Sequence, residues 1–274
     1  MKRKPRTDTV ETSIEPPDER GDSSSFQPEF SECARTGRCL EVIDLHKSLA
    51  RRPVLSGISL TVRPGEIVGL FGPDGAGKTV SFYCILGLLR PDTGRVMLDG
   101  GDISRLPFYR RAILGLGYLP EQPSIFRGLT VAQNIMVMLE TVEPDPLVRS
   151  ARLDDMLESL GIAHLRDAAA TSLSGGERRR CEVARALALD PMIVLLDEPF
   201  AGIDPLTFAS IKELILAMKA RNIGVLLTDQ NVPEMIGLID RAYVMDEGRI
   251  IFAGSPRGML HDQSVIAEYL GVED

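Results

Sequence analysis

Residues 69–80 read GLFGPDGAGKTV and place two glycines, a lysine and a hydroxyl in the spacing Gly72-x-x-x-x-Gly77-Lys78-Thr79. Glycines at both ends let the backbone curl until successive N–H groups point at one centre, which suits phosphate oxygens. A helix beginning near Thr79 adds the positive end of its dipole. Gly72, Pro73, Asp74, Gly75, Ala76, Gly77 and Val80 are therefore read as the phosphate cradle. Lys78 is expected to reach the β and γ phosphates of ATP, and the Thr79 hydroxyl to ligate Mg²⁺. The apolar run before the loop and the helical spacing after it supply a strand–loop–helix context that a chance glycine-rich turn lacks.

Two further stretches add chemistry. In IVLLDEP, residues 193–199, four apolar residues bury a strand whose tip presents Asp197 and Glu198. Asp197 is expected to hold Mg²⁺ through its water shell, and Glu198 to polarise an attacking water. The plain alternative is an acidic strand end that caps the next helix, and the phosphate loop in the same chain weighs against it. In LSGGERRR, residues 173–180, Ser174, Gly175 and Gly176 open a helix. They offer a hydroxyl, close backbone approach and unsatisfied helix N–H groups, a second anion site.

These residues need a rigid frame. CLEVIDLHK alternates as a half-buried strand does, and GISLTV followed by RPGE reads as a strand and a turn. IVGLFG, LGLGYLP, MIVLLDEP and GVLLTD are short apolar strands, and a hairpin turns at Asp246–Gly248. TVSFYCILGLLR is helical up to Pro91, a helical block fills roughly 128–172, and a helix spans 206–220. Buried strands alternating with helices imply an α/β fold with a mostly parallel central sheet. The middle helices form an inserted subdomain at about 122–180. Residues 1–37, rich in Pro, Ser, Asp and Glu, read as a flexible tail ahead of a domain at 38–272.

With a net charge of −8 nothing suggests a polyanion-binding surface, so no nucleic-acid partner is expected. No apolar stretch is long enough to span a bilayer, and the N-terminus lacks the apolar core of a signal peptide. The four cysteines lack metal-ligand partners at useful spacing and are expected to be reduced.

The ordered set GPDGAGKT, LSGGE, LLDEP and AGIDP resembles the nucleotide-binding subunit of ABC transporters over roughly residues 38–272. Within that family, GYLP, PSIFRGLTVAQNIMVML, SLSGGERRR and LLDEPFAGIDP are most similar to the ATPases of lipopolysaccharide export in Gram-negative bacteria. The ATPases of branched-chain amino-acid importers are similar too. The resemblance implies a P-loop NTPase fold with an N-terminal antiparallel β-subdomain, and a head-to-tail dimer, homo- or heteromeric, with two ATPs between protomers. Each ATP would lie on the 72–79 loop of one subunit and against Ser174, Gly175, Gly176 and Glu177 of the other. Asp204 would couple the two sites. The segment Ser124–Arg127 would lie near a groove that receives a helix of a transmembrane permease subunit. The protein would then sit peripherally on the cytoplasmic face of the inner membrane.

Four positions depart from the family pattern. Glu121 and Gln122 follow GYLP where Gln comes first in the family, so either Glu121 ligates Mg²⁺ and the water's surroundings change, or a one-residue slip brings in Gln122. Gln230 replaces a His that contacts the γ-phosphate and keeps only an N–H donor. Val80 removes one hydroxyl bond to the α-phosphate, worth about 1 kcal/mol. Leu49 replaces an aromatic that stacks on adenine. The losses at the water and at the γ-phosphate act mainly in the transition state, so a slow Mg²⁺-dependent ATPase is expected, with Glu121, Glu198 and Gln230 around the reacting phosphate. The alternative is a regulatory or structural subunit that binds ATP and scarcely hydrolyses it.

Overall fold

The computed structural model describes residues 38–201, 205–229 and 232–266. Strands β1 (Leu40–Leu49) and β2 (Arg52–Val62) form an antiparallel hairpin. Its two-residue turn holds Ala50 and Arg51 at φ 48° and 66°, the left-handed pair that matches the twist of the flanking strands. Strands β4 (Thr93–Leu98) and β5 (Gly101–Asp102) extend this sheet in the order β2-β1-β4-β5.

The second sheet contains β3 (Ile67–Phe71), β6 (Leu116–Leu119), β7 (Ile193–Leu196), β8 (Gly224–Thr228), β9 (Arg241–Asp246) and β10 (Arg249–Gly254). The order is β10-β9-β3-β8-β7-β6, parallel throughout except for the antiparallel edge strand β10. Its inner strands are apolar on both faces because both faces are covered. Ile67, Phe71, Val194, Leu196, Val225 and Leu227 join one core with the helices. Val68, Leu70, Ile193, Leu195 and Leu226 join the other, which is closed by the antiparallel sheet.

Helix α1 (Lys78–Leu86) follows the glycine loop and ends three residues before Leu89, where Gly87 takes a left-handed cap. The buried Arg111, on α2 (Phe108–Ile113), donates to the terminal carbonyls of Cys84 and Ile85 and to those of Ser104 and Leu106. Burial pulls its guanidinium down to about 10. Helices α3 (Val131–Leu139), α4 (Pro146–Ser159) and α5 (Gly175–Leu187) make up the central helical block. Helix α6 (Pro205–Ala220) packs on α5 and β8.

A partly buried polar cluster joins the two sheets. Arg241 pairs with both carboxylate oxygens of Glu66 at 2.7 and 3.0 Å, donates to the Thr61 carbonyl at 2.8 Å and also bonds the Tyr243 hydroxyl. That hydroxyl in turn accepts the Thr61 amide at 3.1 Å.

Candidate nucleotide site

Ligands in open α/β sheets bind at the carboxyl ends of the parallel strands. That edge carries the glycine loop after β3, Thr228 at the end of β8, Asp197 and Glu198 after β7, and Pro120–Glu121 after β6. The loop is shaped by two glycines that no other residue could replace. Gly72 sits at φ 142°, where a Cβ would lie 2.1 Å from the Met245 carbonyl oxygen. Gly77 sits at φ 104°, where a Cβ would meet Leu55 at 2.9 Å and the Val54 oxygen at 3.0 Å. The β9–β10 turn supports the loop from below, its Gly248 amide donating to Ala76 and its carbonyl accepting from Ser56. Lys78, 6% exposed, donates to the Gly72 and Pro73 carbonyls at 2.7 and 3.0 Å. Asp74, Gly75 and Thr79 are exposed at the loop rim, while Val80 turns into the core.

Asp197 is buried, and its two oxygens face different partners. Oδ1 accepts the Thr228 hydroxyl at 2.9 Å, and Oδ2 lies 3.4 Å from the Tyr118 hydroxyl. Burial pushes its carboxyl above the usual carboxylate range; the Thr228 and Tyr118 bonds oppose that, the Glu121 charge reinforces it, and Lys78 opposes it. Glu198 is half-buried with φ 42°, a strained left-handed conformation for a non-glycine residue. Its amide donates to Thr228 Oγ1 at 3.0 Å and its carbonyl accepts from Ala201. Tyr118 and Thr228 were not picked out from the sequence. Their role depends on β6 and β8 flanking β7, and no local motif announces that order.

A cleft of about 330 Å³ is lined by Glu121, Gly175, Arg179, Glu182 and Glu198, among others. Glu121 lines it and Gln122 does not, so the carboxylate is the group presented there. One face of α5 grips the backbone around Glu121. Arg179 donates to the Pro120 carbonyl at 2.8 Å and pairs with Glu182 at 3.4 Å. Glu182 accepts the Ser124 amide at 2.7 Å, and Arg185 donates to the Ser124 carbonyl and stacks over Phe126. The buried Asn134 closes the segment from the α3 side through Phe126. These contacts were not anticipated either, because GERRRCEVAR reads simply as a charged helix.

Ser174 caps α5 in a reciprocal capping box with Glu177, whose carboxylate it holds below the usual range through side-chain and backbone hydrogen bonds. Gly175 and Gly176 follow at the exposed helix start. Leu49 ends β1 with its side chain exposed. Gln230 and Asp204 lie outside the described residues, as does the 1–37 segment. The donors at this edge, Thr79, Asp197 and Glu121, are all hard oxygens. Among the described residues no group of three or more His, Cys, Asp or Glu is placed to hold a metal ion. Such a sparse set of protein oxygens fits Mg²⁺ arriving with a triphosphate, the rest of its shell being phosphate and water.

A second concavity, about 460 Å³ and mostly apolar, is lined by Tyr109, Ile113, Tyr118, Ser124, Glu182 and Arg185 among others. Glu182 therefore stands in the wall between this groove and the cleft that holds Glu198.

A glycine loop at the head of a buried helix, facing an acid pair across one strand, defines a nucleotide-binding phosphate-loop protein with an added helical block. Residues 55–201 match the family described as ABC transporter, and the chain belongs to that family as an ATP-binding, ATPase subunit. Such subunits dimerise and work with transmembrane components. The lipopolysaccharide export system ATP-binding protein LptB of Acidithiobacillus ferridurans is 49% identical over 85% of this chain and 96% of its own length. LptB of Escherichia coli K12 is 46% identical over 83% and 95%. A probable ABC transporter ATP-binding protein of Azorhizobium caulinodans is 48% identical over 92% and 90%. Among solved structures, an ATP-binding cassette of an ABC transporter in its ADP conformation superposes with TM-score 0.76 at 28% identity, covering 85% of this chain and 98% of its own.

Proposed function

We propose that this chain is the ATPase that drives lipopolysaccharide export from the inner membrane, working as a dimer against transmembrane permease subunits. The observation that carries the catalytic part is the placement of Lys78, Asp197 and Glu198 at one sheet edge. The LptB relatives carry the substrate class. The cradle Gly72–Val80 binds the phosphates of one ATP, and Leu49 gives apolar contact to the base. Ser174, Gly175, Gly176 and Glu177 of a second copy close over that ATP, and Asp204 links the two sites.

Thr79, Asp197 and Glu121 would hold Mg²⁺, which would supply positive charge against that developing on the phosphates. Glu198 takes up the proton of the attacking water while Gln230 donates to the γ-phosphate. Among the described residues no helix is long and apolar enough to cross a membrane. The subunit sits peripherally on the cytoplasmic face, with the Tyr109–Arg185 groove receiving a helix of the permease. Glu121, Gln230 and Val80 make turnover slow.

Purified protein tests this reading. Steady ATP hydrolysis that disappears in Glu198→Gln is the expected result, together with co-purification of inner-membrane subunits and stimulation by them. Hydrolysis no faster than Glu198→Gln, even with those subunits present, favours the alternative regulatory role, for which the Glu121 charge beside Asp197 is the specific support.

A further inference from the structure

Thr228 stands between the two halves of the site. It ends β8, the strand inserted between β3 and β7, and lies opposite Leu70 in register. It is fully buried. One hydroxyl does two things there: its proton goes to Asp197 Oδ1 at 2.9 Å, and its oxygen accepts the Glu198 amide at 3.0 Å. The other hold on Asp197, from Tyr118, is long at 3.4 Å. The carboxylate's rotation and the strained Glu198 backbone are therefore set by the same atom.

We propose that Thr228 is the positioning residue of this ATPase, fixing the Asp197 carboxylate and the Glu198 peptide in one relative orientation through its bifunctional hydroxyl. This deepens the hydrolysis reading and rests on it. Without Thr228 the plane of the Asp197 carboxyl group is free to turn about the side-chain torsion. Displacements of about 1 Å at supporting groups are enough to lose much of a site's rate. Ground-state contacts of the glycine cradle to phosphate are untouched, so the loss falls on turnover and on the Mg²⁺-dependent part of binding.

The test compares the full chain with Thr228→Val, which keeps shape and removes the hydroxyl, with Thr228→Ser, which restores it, and with Glu198→Gln as the floor. Hydrolysis is measured against ATP and Mg²⁺, and binding of a fluorescent ATP analogue is measured with and without Mg²⁺. Expected for Thr228→Val is about tenfold or greater loss of kcat, with Mg²⁺-free binding within about twofold. The tightening of binding by Mg²⁺ falls several-fold, and Thr228→Ser recovers both. If Thr228→Val does not fold, Thr228→Ala is read against the same expectations. A hydroxyl-free variant that matches the wild type in kcat and Mg²⁺ response overturns the proposal. A wild type at the Glu198→Gln floor overturns the hydrolysis reading instead, and the Mg²⁺-binding comparison then decides the role of Thr228 by itself.

Discussion

Glu121 places a third carboxylate near Asp197 and in the cleft that Glu198 also lines. Its negative charge repels the triphosphate and the negative charge developing in the transition state. Glu121→Gln is therefore expected to raise kcat several-fold with little change in ATP affinity, as read by steady-state hydrolysis; a fall would assign Glu121 as an indispensable ligand. Asp197 gives a pH prediction with a definite sign. Burial raises its folded-state value above that of the unfolded chain, so the folded state keeps a proton that the unfolded chain releases. The corresponding stability is present at low pH and is lost as pH rises through and beyond the usual carboxylate range. In nucleotide-free thermal unfolding, Asp197→Asn should flatten that decline. The sequence displayed Lys78, Asp197 and Glu198 because each sits in a local strand–loop pattern. It concealed Tyr118 and Thr228, whose importance comes from strand neighbours far apart along the chain.

Among elements, α5 contributes most, because it presents its N-terminus at Ser174 and its flank to the 120–126 segment. Glu182 is 3% exposed with both oxygens engaged. Glu182→Ala leaves Arg179 buried without its counter-charge and Ser124 without an acceptor. It should cost about 3–5 kcal/mol by urea denaturation, and Glu182→Gln, which keeps the acceptor, distinctly less. The apolar strands were legible from composition alone, since both faces of the parallel sheet are covered. The end of α1 was not: the apolar spacing runs on to Leu89, yet Gly87 and the Arg111 bonds to Cys84 and Ile85 stop the helix at Leu86. The Ala50–Arg51 turn was equally hidden, because neither residue type advertises a left-handed conformation.

At the scale of the whole molecule, the glycine loop and the start of α5 are expected to meet only across two copies. Glu198→Gln with Mg·ATP should therefore elute at twice the monomer mass in size-exclusion chromatography. Adding Gly175→Asp, which puts a charge at the exposed helix start, should return it to the monomer without unfolding it. The cluster of Arg241, Glu66, Tyr243 and Thr61 bears on the molecule's dynamics. It stitches β2 to β9 through bonds to backbone atoms of β2 on one side and side chains of β9 on the other. Neither sheet can open without further exposing a half-buried guanidinium and the carboxylate paired to it. Amide hydrogens of Thr61 and its neighbours should thus exchange with solvent in the same slow cooperative event as those of Tyr243, and the hairpin should not fray independently of the parallel sheet.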